Sequence, residues 1–355
     1  MPLVKIRTLI VDDSILFRKT LETNLSADPY IEIIGTAMDA MDAMDKIEKL
    51  NPDVVTLDVE MPKMNGIEFL KKLMPVHPVP VVVVSSLPIN ALDALSAGAV
   101  DFVKKPQVQG PSDLKHFVRE LTIKVKIAST AKVGKRQPAA SPVAAPRPTA
   151  PVSASAPLTL SRTPNDVIIA IGASTGGTEA ILAVVRNLPA TTPGIVIVQH
   201  MPPVFTQMYA QRLDKLCKMR VKEAENGDRV ERGKIIIAAG EYQMTLVKDS
   251  QGYAIKSAPG ARVNGHCPSV GVLFDSVTAT VKGNKIVGVI LTGMGADGAK
   301  EILTMRRAGA YTIGQDKESS VVYGMPMVAY DIGGISKQLP LNQIGGEIIR
   351  YLNTL

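Results

Sequence analysis

Two patterns alternate along residues 4–128. Short uninterrupted apolar runs (IRTLIVDD, IEIIGTA, DVVTLDVE, VPVVVVSS, VDFVKKP) are separated by segments whose apolar residues recur with helical spacing, at Leu16 to Leu25, Ala40 to Leu50, GIEFLKKLM and ALDALSAG. An apolar run without polar alternation reads as a strand buried on both faces, and such strands alternating with amphipathic helices form a parallel sheet covered on either side. A last helix is predicted to start at a Ser112 cap and to carry Leu114, Phe117, Val118, Leu121 and Val125 on one face. Five strands and five helices in about 125 residues predict a flavodoxin-like, five-stranded parallel α/β domain.

Residues 165–355 repeat the scheme on a larger scale. VIIAIGAS, IVIVQHM, IIIAAG, IVGVILTGM and AYTIGQD read as strands, with helices such as TEAILAVVRNL and GAKEILTMRRAG between them. The expectation is a doubly wound, mostly parallel α/β domain. The less regular block from Arg220 to Pro259 is expected to be a β-hairpin insertion in that order. Between the two domains, residues 129–164 are rich in Pro, Ala and Ser without an apolar period, which reads as an extended linker.

Composition adds few constraints. At 46% hydrophobic and 21% charged residues the chain has material for two packed cores. No apolar run approaches the roughly 20 residues of a membrane span, and MPLVKIRTLIVDD meets aspartates too early for a signal peptide, so the cytoplasm is the expected compartment. Cys217 and Cys267 form no metal-binding spacing. The net charge of +7 suggests nucleic acid, but Lys126, Lys132, Lys135, Arg136, Arg147 and Arg162 supply six of those charges in and beside the linker. No basic recognition helix follows a short turn either, so nucleic acid is not an expected partner.

In an open parallel sheet, ligands bind beyond the carboxyl ends of the strands. In the first domain those ends carry Asp12, Asp13, Asp58, Ser85 and Lys105. Three carboxylates at one edge repel one another, and a hard divalent cation such as Mg²⁺ is the usual compensation. One carboxylate can then attack a phosphoryl group while a hydroxyl and an ammonium group stabilise its oxygens, and Asp58 is best placed as that nucleophile. VDD, LDVEMPKMNG, VVVVSS and DFVKKP resemble the receiver domain of bacterial two-component response regulators over residues 4–128. The resemblance implies Asp58 as phosphoacceptor and Mg²⁺ held by Asp13, Asp58 and the Glu60 backbone carbonyl, with Asp12 assisting through water. It also implies Ser85 and Lys105 on the phosphoryl group and Phe102 as the aromatic switch residue.

In the second domain, Gly172-Ala-Ser174-Thr-Gly176 places a serine on a strand-to-helix turn with G-x-S-x-G spacing. That spacing suits a nucleophile, an anion-binding loop or a plain tight turn, although no G-x-G-x-x-G or Walker lysine is present. His200 at the end of IVIVQHM and Asp297 in the turn of VILTGMGADG favour the first reading, since serine, histidine and aspartate at strand ends can converge on one crevice. His266 and Cys267 are rival base and nucleophile, but neighbours in sequence need not face each other.

GASTGG, QHMP and TGMGADG, following a receiver and a linker, resemble the chemotaxis protein-glutamate methylesterase family over nearly the whole chain. The resemblance implies Ser174 as nucleophile, His200 as base, Asp297 as its orienting acid and the Met294 backbone amide as oxyanion hole, with Thr175 and Gln199 in support. It also implies hydrolysis of glutamyl γ-methyl esters, and deamidation of particular glutamines, on the cytoplasmic helices of chemoreceptors. A histidine kinase would be the phosphodonor and the hydrolase site would need no cofactor. Gly271 stands where family members often carry an acidic residue, so a contact there is expected to be missing.

Overall fold

The apolar runs predicted as strands are strands, and the polar residues that close them lie along one edge of each sheet. The computed structural model describes residues 4–106, 111–134, 160 and 166–355. The chain divides into two compact units, Met1–Ala144 and Ala145–Leu355. Most of the expected linker, and the side chain of Ser112, lie outside the described residues.

The first unit runs β1 (Ile6–Val11), α1 (Ile15–Leu25), β2 (Ile31–Ala37), α2 (Ala40–Leu50), β3 (Val54–Asp58), α3 (Gly66–Val76), β4 (Val81–Ser85), α4 (Pro88–Ala97), β5 (Asp101–Lys104) and α5 (Pro111–Ala128). Its strands pair in the order β2-β1-β3-β4-β5, all parallel. β3 and β4 are buried throughout, as their unbroken apolar runs require. Ser14, Asp39 and Asn65 cap α1, α2 and α3, each accepting backbone N–H groups that the first helical turn leaves unpaired. Phe117, Leu121 and Val125 are the buried face of α5.

The second unit runs β6 (Ile168–Ala173), α6 (Gly177–Val185), β7 (Ile195–Gln199), α7 (Phe205–Leu216), β8 (Arg220–Glu223), β9 (Lys234–Ile237), β10 (Tyr242–Asp249), β11 (Gly252–Pro259), α8 (Val270–Thr280), β12 (Ile286–Ile290), α9 (Ala299–Arg307), β13 (Tyr311–Gln315), α10 (Met325–Asp331), β14 (Lys337–Leu339) and α11 (Leu341–Leu352). Seven strands pair in the order β14-β13-β12-β6-β7-β9-β8, all parallel. The block Arg220–Pro259 is therefore only half hairpin. β10 and β11 form an antiparallel pair, but β8 and β9 belong to the main sheet and lie parallel to each other. Ile235, Ile236 and Ile237 are fully buried, so β9 needs a neighbour on each side. β8 supplies the outer one, and its short, charged sequence RVKE suits a sheet edge.

The direction of winding reverses at β6. β7 pairs on one side of it and β12 on the other, which brings the carboxyl ends of these three strands side by side at a topological switch point. The segment leaving β7 contains one strained residue. Val204, at the start of α7, has φ 71° and ψ −43°, a region that a β-branched side chain rarely enters, and it is 53% exposed. A Val204→Gly substitution relieves more strain than it adds in unfolded-chain entropy, so the second unit should gain about 1 kcal/mol of stability. Denaturant unfolding of the full chain should show a higher midpoint for that unit.

Candidate functional site

In the first unit, Asp12, Asp13 and Asp58 each bring a carboxylate oxygen within 4.8 Å of the others, with Asp13 exposed and the other two buried. Lys105 neutralises the buried pair, at 2.6 Å from Asp58 Oδ2 and 2.9 Å from Asp12 Oδ2. Burial, with the charge of Asp58, pushes the Asp12 carboxyl up to about 6 despite its hydrogen bond from Lys105. For Lys105 itself burial acts downward, but hydrogen bonds to Asp58 and Asp12 outweigh it and hold the ammonium above its ordinary range. Glu60 N–H donates to Asp58 Oδ1 at 3.1 Å. Three carboxylates with only one ammonium among them form an oxygen-rich donor set that fits a hard divalent cation. Ser85 is buried at the adjacent strand end with its hydroxyl engaged by the Leu87 backbone, and Phe102 is buried on β5.

In the second unit, β6 ends at Ala173 and the chain turns at once into α6, leaving Ser174 at the turn, 9% exposed. Gly176 has φ 77°, and a β-carbon at Gly177 would lie 2.1 Å from Gln199 Oε1, so the turn admits no side chain at either position. The Ser174 carbonyl accepts from Gly177 N–H at 2.7 Å and from Gln199 Nε2 at 2.8 Å. Its N–H donates to the Thr292 carbonyl at 3.0 Å, tying the turn to the end of β12. Thr292 is fully buried and also donates its hydroxyl to the Thr175 carbonyl at 3.0 Å. The neighbouring Gly293 carbonyl accepts from Met325 N–H at 2.8 Å, which anchors the Gly293–Gly295 turn on α10. Met294, in that turn, is 46% exposed, and its N–H donates no hydrogen bond among the described residues.

His200 Nε2 lies 2.9 Å from Asp297 Oδ2, with both side chains buried. An ionised carboxylate only accepts, so Nε2 carries the proton and the lone pair is left on Nδ1. His200 Nδ1 is buried and has no hydrogen-bond partner. The Asp297 carboxylate also receives Asn264 Nδ2 at 3.0 Å, Ser269 Oγ at 2.8 Å, Val270 N–H at 2.7 Å and Gly271 N–H at 3.2 Å. The last two are the first residues of α8, whose amino end favours negative charge. Burial acts to raise Asp297, but the hydrogen bonds and charge of His200, with Asn264 and Ser269, hold it well below the ordinary carboxylate range.

Ser174, His200 and Asp297 therefore stand on neighbouring strand ends, with the His–Asp contact made and no hydrogen bond from Ser174 to Nδ1. The His266 ring stacks on that of His200 with centroids 3.6 Å apart and planes 7° from parallel. Asn264 and Gly265 form a two-residue turn closed by paired Val263 and His266 hydrogen bonds of 2.9 Å, with φ of 54° and 85°. Asn-Gly is the strongest short-range signal for such a turn, yet nothing local indicates that its tip lands on the His200–Asp297 pair. Asn264, Ser269 and Thr292 are thus site residues that the sequence did not single out, whereas His266, read there as a rival base, packs its ring on His200. Gly271, expected to leave a contact unmade, contributes its backbone N–H to Asp297.

Comparison with known proteins covers both units. A family model described as CheB methylesterase matches residues 169–348, and one described as response regulator receiver domain matches residues 8–119. The chain is 53% identical over 355 residues, all of both chains, to protein-glutamate methylesterase/protein-glutamine glutaminase 2 of Syntrophomonas wolfei. It is 46% identical over 356 residues, 98% of this chain and 97% of the relative, to the protein-glutamate methylesterase/protein-glutamine glutaminase of Salmonella typhimurium. Among solved structures, the catalytic domain of Thermotoga maritima CheB methylesterase matches with a TM-score of 0.50 and 37% identity, over 52% of this chain and 97% of that one. With a receiver domain, a serine turn beside a histidine–aspartate pair, and this identity along its full length, the chain belongs to the CheB methylesterase family.

Proposed function

We propose that the chain is a phosphorylation-controlled serine hydrolase of bacterial chemotaxis. It removes methyl groups from glutamyl γ-methyl esters, and deamidates particular glutamines, on the cytoplasmic helices of methyl-accepting chemoreceptors. Residues 4–128 are the receiver, 129–164 the linker and 165–355 the catalytic domain. The observation that carries this reading is the 2.9 Å contact between His200 Nε2 and Asp297, beside Ser174 at the sheet's switch point.

With Nε2–H given to Asp297, His200 Nδ1 is the base. As Ser174 Oγ attacks the ester carbonyl carbon, its proton passes to Nδ1 and the carbonyl oxygen becomes an oxyanion, received by the Met294 N–H. Collapse breaks the carbon–methoxy bond, and the leaving oxygen takes the proton from Nδ1 to depart as methanol. Water then gives its proton to Nδ1, attacks the acyl-enzyme and frees glutamate, and Nδ1 returns that proton to Ser174. A glutamine substrate follows the same steps with ammonia leaving. Asp297 stabilises the imidazolium formed in each half-reaction and fixes the tautomer. Gln199 and Thr292, holding the carbonyls of Ser174 and Thr175, keep the nucleophile turn in place, and His266 shields one face of His200.

In the receiver, Asp58 accepts the phosphoryl group from a histidine kinase. Lys105 and Ser85 bind its oxygens and Phe102 responds to the change. Asp12, Asp13 and Asp58, with the Glu60 carbonyl, would hold Mg²⁺, which supplies charge neutralisation for phosphoryl transfer. No cofactor is assigned to the hydrolase site.

Methanol release from methylated chemoreceptor, with and without a small phosphodonor, tests substrate and control together. The donor should raise the rate, and release indistinguishable from a no-enzyme control would refute the assignment. Ser174→Ala should cut kcat at least about 10⁴-fold with the fold intact. Asp58→Asn should keep the basal rate and lose the response to the donor. His266→Ala should lower kcat about tenfold, because the shielded face of the base opens to water. Because Asp297 is held ionised, the pH profile of kcat/KM should carry no step from protonation of that carboxylate.

A further inference from the structure

Gly271 leaves a gap beside Asp297 that is filled by a carboxyl group from another helix. A β-carbon at Gly271 would lie 3.2 Å from Asp297 Oδ1 on one side, and 3.0 Å from Cδ and 3.2 Å from Oε2 of Glu301 on the other. Glu301 sits in the first turn of α9, half-buried against α8, and neither carboxyl oxygen is separated from the other by a side chain at position 271. We propose that Glu301 is a positioning residue for the His200–Asp297 pair, its carboxylate adding the negative potential that lets His200 hold the proton it takes from Ser174.

The need for such a charge follows from how completely Asp297 is satisfied. Four donors besides His200, two of them at the amino end of α8, all draw on the same carboxylate, which weakens its pull on an imidazolium. A second carboxylate on the far side of Gly271 opposes that positive field. Of the elements packed on α9, α8 brings the titratable group Asp275 and α10 brings Tyr330 and Asp331, while β12 brings none and β13 only Tyr311. The groups acting on Glu301 are Asp275 and Asp297, both negative, and Lys300 on its own helix. Burial first, and then the two aspartates, hold Glu301 above the ordinary glutamate range, as expected of a carboxyl kept close to another.

The inference rests on His200 acting as base to Ser174, and its test separates it from the choice of substrate. The rate at which a fluorophosphonate ester labels Ser174, followed against pH in the full chain, reads the serine–histidine pair without any receptor. A negative charge near His200 favours the imidazolium, so removing it lets the proton leave at lower pH. Glu301→Gln should therefore move the acid limb of labelling down by about half a pH unit, and lower the plateau rate about threefold because the base is weaker. Gly271→Ala, whose new methyl presses on the Glu301 carboxyl and on Asp297 Oδ1, should move the limb the same way in the wild-type background and by less in Glu301→Gln. A limb that stays at the wild-type position in Glu301→Gln, with thermal unfolding unchanged, overturns the proposal. So does a Gly271→Ala shift of equal size in both backgrounds. Loss of methanol release with labelling behaviour as expected would instead count against the proposed substrate alone.

Discussion

A negative charge taken out of water must be met by donors, and Asp297 is where the catalytic unit meets that requirement most fully. Its carboxylate is 3% exposed and draws donors from the loop after β7, the Asn-Gly turn, the α8 cap and the first two residues of α8. Leaving a buried carboxylate unpaired would cost several kcal/mol, so these segments are held at fixed distances from one point. The orientation of His200 follows from the arrangement: one ring nitrogen is fixed on Asp297 and the other is turned away from it.

A second knot holds the nucleophile. Thr292, two residues beyond β12, reaches across to the backbone of both Ser174 and Thr175, while its own N–H donates to Gln315 on β13 at 2.8 Å. Three adjacent strands are thereby joined at their carboxyl ends through a single buried residue. The receiver solves a related problem with different chemistry. There the excess is of negative charge, and Lys105 is shared between two buried aspartates, leaving the exposed Asp13 to complete a set suited to a cation.

Most of the fold was legible because it depends on periodicity. Unbroken apolar runs such as VVVVS and IVIVQ read as strands buried on both faces, and they are. The block around β8 and β9 is only partly hairpin. Irregular polarity there reads locally as hairpins, whereas the parallel pairing is set by β9 needing partners on both sides, a demand that arises only once β7 is in place.

The chain's own order of residues determined the two α/β units and the strand ends on which Asp58, Ser174, His200 and Asp297 stand, because alternation and turn chemistry act over a few residues. Tertiary structure alone decided what surrounds those ends. His266 lies 66 positions from the ring it stacks on, and Asn264 is 33 from the carboxylate it serves. Contacts of that range are fixed by the packing of separate elements against one buried charge, and no local pattern records them.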